Sequence, residues 1–323
     1  MTKIKKINYI FCGLLIVIGY FLINFLVGQK ILNNQQTGIL IFCLINIMLA
    51  ISLNVTVGNL GQITLGHAGF VSIGAYTSAL LTKSGMFKGV PGYVTAVIIG
   101  GLVAGIVGII IGIPALRLKG DYLAITTLAF GEIIRVIMEN MKITGGAQGL
   151  SGIPRYRHFS YIYIFTVISF VLIYSIMTSR HGRAILSIRE DEIAAQASGI
   201  NTIYYKTLAF TISAIFAGIA GGILAHYVGV INARTFDYNY SINILVMVVL
   251  GGMGSFTGAT FSAIALTVLP EVLRGFSNYR MIVYSLVLIL IMIFRPTGIM
   301  GRKEFHLTNI LKKFIKDKEV GDI

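Results

Sequence analysis

The chain has 323 residues, 56% of them hydrophobic and only 12% charged, with a mean hydropathy of +0.84. A soluble domain carries roughly 25% charged residues, so the composition excludes an ordinary soluble enzyme, a disordered chain and a disulfide scaffold, and points to an all-α, polytopic helical membrane protein. The net charge of +14 does not indicate nucleic-acid binding, because the cations cluster at the ends of apolar runs, where they meet lipid headgroups.

At roughly 20 residues per span plus short loops, the length allows about eight to ten crossings, and the apolar runs predict about 9–10 transmembrane or re-entrant helices. The first apolar run, Ile7 to Val27, follows Lys3, Lys5 and Lys6. No small-x-small cleavage site follows it, so it reads as a retained helix. Cys12 lies in this run and Cys43 in the next, with no disulfide or metal-ligand spacing. Both read as small buried hydrophobes, and Phe11 stands where acylation of Cys12 would need a small residue. Further spans are predicted at 38–57, 66–82, 91–114, 121–139, 159–178, 204–230, 241–270 and 281–300. Within the fifth, Glu132 and Arg135 are spaced i, i+3 and read as a structural pair. Residues 238–270 hold no charge and are too long for one simple crossing, whereas 281–294 is short between Arg280 and Arg295, which snorkel to opposite interfaces.

Charge sets the topology. The Lys-rich N-terminus is expected in the cytoplasm, and six crossings return the 179–203 loop there, in keeping with Arg180, Arg183 and Arg189. The tail at 302–323, with Arg302, Lys303, Lys312, Lys313, Lys316 and Lys318, is expected on the same side. An even number of crossings must then follow the loop, so 241–270 is predicted to double back at Gly251-Gly252-Met253-Gly254-Ser255. This scheme places Lys83, Lys88, Lys142, Arg155 and Arg157 outside, against the usual bias.

Three stretches carry information. In 53–81, glycines alternate with polar residues: Asn59, Gln62, Thr64, Gly66, His67 and Gly69. A second Gly-rich break, LGGMGSFTGATF at 250–261, echoes it with Gly251, Gly252, Gly254 and Ser255. Two readings stand for this pair. Gly-broken helices in corresponding halves hold substrate in transporters, and small residues also serve close helix packing. His67 and His226 read as hydrogen-bonded packing residues. The third stretch, 179–201, is the most polar between spans, and Ile188 to Gly199 within it predicts one short helix ending at Gly199. Ile185, Ile188, Ile193 and Ala197 share part of one face, suited either to solvating a loop or to docking in a partner's groove. No phosphate loop, zinc helix, nucleophile elbow or dinucleotide turn occurs, so no catalytic residue, metal or cofactor is expected.

The motif E-x-A-A-x-x-x-G at Glu192 to Gly199 resembles the coupling loop of ABC importer permeases. More of the chain resembles the LivM-type permeases of branched-chain amino acid importers: LGQITLGHAGFVSIGAY at 60–76, RLKGDYLAITTLAFGEIIR at 117–135, TGGAQGLSGIP at 144–154, GRAILSIREDEIAAQASGIN at 182–201, VLGGMGSFTGA at 249–259 and FRPTGIMG at 294–301. The resemblance implies a permease domain over 1–301, with 179–203 as cytoplasmic coupling loop, in a bacterial cytoplasmic membrane. It implies a LivH-like second permease subunit, two cytoplasmic ATPase subunits and an extracytoplasmic substrate-binding protein as partners. It assigns Arg189, Glu192, Ala194, Ala195 and Gly199 to ATPase coupling, with Ile193 standing where the family has its first Ala. The implied cargo is leucine, isoleucine and valine, and importers of urea or short-chain amides use similar permeases. An ion-coupled secondary transporter would need a deep carboxylate that the cleanest apolar runs lack.

Overall fold

The structure is a computed structural model that describes residues 3–29, 31–118, 120–276 and, beyond these, 282, 283, 285, 286, 289, 293–295 and 298–301. The described helices are α1 (Lys3–Gly28), α2 (Asn34–Asn54), α3 (His67–Lys83), α4 (Gly89–Ala115), α5 (Asp121–Asn140), α6 (Phe159–Thr178), α7 (Arg180–Glu190), α8 (Glu192–Ala197), α9 (Thr202–Val228), α10 (Tyr238–Gly251) and α11 (Phe256–Val272). A π-helical turn, Val55–Asn59, extends α2. Every span read from hydropathy up to residue 270 is present as helix, and among the described residues five helices are long and apolar enough to cross a membrane. Nine of the twenty positions of the 281–300 span and the whole 302–323 tail lie outside the described residues.

The centre is a trio of helices, α3, α4 and α9. Lipid tails are as apolar as Leu, so membrane helices associate through close packing, and small residues permit the closest approach. Gly74 lies against the backbone of Gly218, Ser78 against Gly222, and Thr82 bonds His226, so α3 and α9 run parallel. On α4, a Cβ at Gly100 would sit 2.7 Å from the Gly74 carbonyl oxygen. At Gly101 it would sit 2.6 Å from Ile219, and at Gly105 2.5 Å from Ile215, which fixes α4 antiparallel to both neighbours. His226 lies fully buried in this trio, with Nε2 3.0 Å from Thr82 Oγ1 and Nδ1 2.7 Å from the Gly222 carbonyl, in the packing role expected of it.

Around the trio, α2 packs on α9, α6 and α11, and α1 docks on α6 where Tyr20 donates to Ser160 Oγ at 3.0 Å. The α5 helix carries the pair expected from its spacing and extends it. Arg135 bonds Glu132 at 2.7 Å and Glu139 at 3.0 Å, and Glu139 accepts from Arg234 at 2.8 Å, tying α5 to the 229–237 loop.

The long uncharged run folds as a hairpin. It breaks where the parity reading places the break: α10 ends at Gly251 and α11 begins at Phe256. Gly252 (φ +109°) and Gly254 (φ +96°) make the reversal in backbone conformations that L side chains rarely adopt. Ser255 caps α11 by accepting from Gly258 N at 3.0 Å. Gly251 stacks on Gly258, and Ser262 donates to the Met247 carbonyl, so the two helices run antiparallel. Residues 298–301 return to this turn, with Ile299 N 2.8 Å from the Leu250 carbonyl.

The bundle has two distinct ends. One gathers the loops at 84–88, 141–158 and 229–237: Leu150 pairs with Ile231, Lys83 donates to the Ser151 carbonyl at 2.9 Å, and Tyr156 donates to Gly89 at 2.9 Å. Lys83, Lys88, Lys142, Arg155 and Arg157 are all exposed there. The other end carries α7, α8, the α2–α3 connection and the α10–α11 turn. Single cysteines at Gly152 and Ser198, both exposed, are therefore expected to react with an impermeant thiol reagent from opposite sides of sealed vesicles. Labelling of both from one side would refute this topology.

Candidate translocation and coupling site

The candidate coupling segment is two helices where the sequence predicted one. Asp191 breaks it: its backbone is extended (φ −156°, ψ 112°), and its Oδ1 accepts from Ile193 N at 2.8 Å and Ala194 N at 3.0 Å. An aspartate in this position satisfies orphan N–H groups that begin a new helix, and this outweighs continuation of α7. The break also splits the expected apolar ridge. Ile185 and Ile188 of α7 are buried, whereas Ile193 is 77% exposed at the tip of α8, and Ala197 is exposed. Ala195 is buried and Ala194 faces out.

Two devices hold α8. Lys206 of α9, its side chain only 4% exposed, donates to Glu192 at 2.6 Å. At the other end Gly199 N bonds the Gln196 carbonyl and Ile200 N the Ala195 carbonyl, the paired bonds of a Schellman stop. Gly199 has φ +82° with open space about it, so Gly199→Val is strained by backbone conformation alone. The cost is about 1–3 kcal/mol. The expected result is a frayed α8 with weakened partner binding and an unchanged amount of protein in the membrane. Wild-type partner recovery by pull-down would contradict it.

Arg189, at the end of α7, turns inward. Its Nη1 donates to the carbonyl of Gly58 in the π-turn, and its stem lies against Gly61, where a Cβ would meet Arg189 Cγ at 2.8 Å. A Cβ on Gly254 would lie 2.8 Å from Arg189 Nη1 and 3.3 Å from the Gly58 carbonyl oxygen. Gly254 N in turn donates to Asn54 Oδ1 at 3.0 Å. The two Gly-rich breaks, far apart in sequence, thus meet beneath α7.

The candidate pathway residues fall into two groups. Asn59 and Gln62 lie beside the Arg189 cluster, and Asn59 Nδ2 and Gln62 Oε1 are buried without a protein partner. Gly251, Gly252, Gly254 and Ser255 form the turn, with Gly252 against Gly298 and Gly301. Thr64, Gly66, His67 and Gly69 lie apart from these, at the start of α3. Gly66 abuts the Thr127 carbonyl of α5, Gly69 abuts Gly131, and His67 Nε2 sits 3.0 Å from Ser52 Oγ, as expected of a packing histidine. Thr64 and Gly66, with Phe70, Thr127, Phe130 and Ile134, line a cavity of about 10 Å³. That is about the space one water needs.

Sequence reasoning did not single out Asn54, Lys206, Thr127 or Ser241. Asn54 is an amide inside an apolar run, four residues before Gly58, and that intrusion was the available signal. Ser241 accepts from Ala68 N at 2.9 Å, and Thr127 accepts from Leu65 N at 3.1 Å, so both anchor the start of α3. Neither stands out in sequence, because Ser and Thr are common in membrane helices.

A sequence profile for the permease component of branched-chain amino acid transport systems matches residues 35–294. The chain is 38% identical over 303 residues to the high-affinity branched-chain amino acid transport system permease protein LivM of Escherichia coli K12, covering 82% of this chain and 70% of that protein. It is 26% identical over 283 residues to the permease protein LivH of Salmonella typhimurium, covering 80% of this chain and 91% of that one. It is also 26% identical over 270 residues to a probable branched-chain amino acid transport permease protein LivM of Methanocaldococcus jannaschii, covering 74% and 78%. No solved structure shows a significant match. The multi-pass helical bundle, its paired Gly breaks and the match over most of its length together establish that this chain belongs to the family of permease components of branched-chain amino acid transport systems.

Proposed function

We propose that this chain forms one half of the membrane pathway of an ATP-driven importer of leucine, isoleucine and valine in the bacterial cytoplasmic membrane. Its partners in this reading are a LivH-like permease subunit, two cytoplasmic ATPase subunits and an extracytoplasmic substrate-binding protein. The observation that carries the reading is the seat of α7 and α8. They lie on one end of the bundle, fixed by Lys206 and Arg189, against the junction of both Gly breaks. The exposed Ile193 offers an apolar tip to a groove on an ATPase. Displacement of this pair acts through Arg189 on Gly58, Gly61 and Gly254, and through these on Asn59, Gln62, Gly252 and Ser255. It reaches Thr64, Gly66, His67 and Gly69 through the start of α3. Covalent chemistry belongs to the partner ATPases.

The test is reconstitution of the chain with its second permease subunit and ATPases in vesicles, with the binding protein inside or outside. ATP-dependent uptake of labelled leucine, displaced by isoleucine and valine, is the expected result. Uptake of urea or a short-chain amide in place of leucine would replace the cargo. Uptake driven by an ion gradient without ATP would overturn the importer reading.

A further inference from the structure

We infer that Arg189 is a positioning residue, an internal latch that ties α7 to the junction of the broken end of α2 with the α10–α11 turn and keeps this end of the subunit shut until α7 moves. The inference rests on the importer reading above and names the residue through which α7 acts.

The π-turn creates the need. Within it Leu60 N bonds the Val55 carbonyl and Gln62 N the Thr56 carbonyl, both at 3.1 Å, and the chain then leaves the helix. Carbonyls at a helix end carry partial negative charge and lack helical partners. The Gly58 carbonyl takes the Arg189 guanidinium, a charge-assisted bond of the stronger kind. The surroundings are shaped to one side chain. Gly61 leaves room for the stem and Gly254 for the guanidinium, and each lacks the Cβ that would collide with Arg189. Gly58 leaves room for Asn54 and for the Gly254 amide. The other two arginines of the segment lie elsewhere: Arg183 bonds the carbonyl of Thr178, the last residue of α6, and Arg180 opens α7 at the end opposite Arg189.

The latch is built to have two states. Asn54 Nδ2, Asn59 Nδ2 and Gln62 Oε1 are buried beside it without protein partners. Buried polar groups favour a state in which they are satisfied, and withdrawal of Arg189 admits water to them. Asn54 forms a second strap, to Gly254, that does not involve α7. Release therefore parts α7 from both breaks while the turn keeps its hold on α2. Arg189 belongs to the last turn of one continuous helix, so displacement of α7 carries it along.

The experiment compares Arg189→Met, Arg189→Lys and the control Arg183→Met in the full reconstituted complex; uptake and ATP hydrolysis are read with Asn59 native, and the same variants carrying Asn59→Cys are read for thiol reactivity alone. For Arg189→Met the ATPases co-purify at the control level, leucine uptake falls at least tenfold, and ATP hydrolysis no longer depends on the loaded binding protein. Asn59→Cys becomes reactive to an impermeant thiol reagent applied from the α7 side. Arg189→Lys, with one donor able to reach the Gly58 carbonyl, restores part of the shielding and part of the uptake. If Arg189→Met does not accumulate, Arg189→Gln carries the same expectations. Loss of ATPase recovery with Asn59→Cys still shielded would make Arg189 a docking contact and overturn the latch, as would unchanged uptake with shielding intact. The thiol reaction is also read on the subunit alone in vesicles, so failure of the importer reading leaves the latch separately testable.

Discussion

Glu192→Lys is expected to cut leucine uptake by the reconstituted complex at least tenfold and to lower recovery of the ATPase subunits. Glu192 and Lys206 are 2.6 Å apart, and the lysine side chain is 4% exposed, so it has little water to turn to. Reversal leaves two ammonium groups facing each other at the root of α8. Breaking a buried pair costs about 3–5 kcal/mol. The carboxylate here is 27% exposed, which places the loss toward the lower end. A tenfold effect needs only about 1.4 kcal/mol, so the expected drop is within reach even after screening. The double variant Glu192→Lys with Lys206→Glu restores an opposite-charge pair in the same place and should recover much of the uptake. Full transport by Glu192→Lys alone would mean that α8 bears no load.

Gly74→Leu is expected to have the largest effect on the subunit itself. A Cβ there falls on the backbone of Gly218, and the same α3 backbone also lies against Gly100 of α4. Neither neighbour can rotate out of the way, because the obstacle is main chain. Overpacking costs typically about 1–3 kcal/mol and occasionally more, and a clash between two helix backbones belongs at the upper end. The level of the protein in membranes and its thermal unfolding in detergent should both fall sharply. Gly13→Leu, where no atom lies within 4 Å of a Cβ, should leave both unchanged. Equal behaviour of the two variants would show that the α3–α9 contact is not the spine of the fold.

Much of the fold was legible because hydropathy reports burial in lipid or protein and helix length reports the crossing. The α10–α11 turn was legible for a different reason: charge parity required a reversal, and the glycines supplied the place. The split of the coupling segment was not legible. Glu190, Asp191 and Glu192 all fit a helix interior or a cap, and only the seating of Ile185 and Ile188 on one side and Lys206 on the other decides between them. The inward turn of Arg189 was hidden for a similar reason. An arginine in a polar loop reads as a surface cation, and its acceptor is a backbone carbonyl, which leaves no trace in the identity of any residue. The glycines were visible as a class, but not their partners. Gly66 and Gly69 meet α5, Gly74 meets α9, and Gly58 meets the distant turn, and no periodicity in the sequence distinguishes these destinations.

The trio of α3, α4 and α9 meets along backbones with no slack between them, and a contact made of main chain neither compresses nor repacks. In the importer reading it is the stator of the subunit, and a force that arrives at α8 reappears as rigid displacement of the outer pieces. Among these, α5 buries only Leu123, Thr127 and Ile134. It rests on the start of α3 across its middle, where Thr127 accepts from Leu65 N and Gly66 and Gly69 meet Thr127 and Gly131, and Glu139 ties its far end to Arg234. A helix seated on backbone rather than on interlocking side chains has one easy mode, a rocking about that seat, and the glycines at 66, 69 and 131 are its bearing surface.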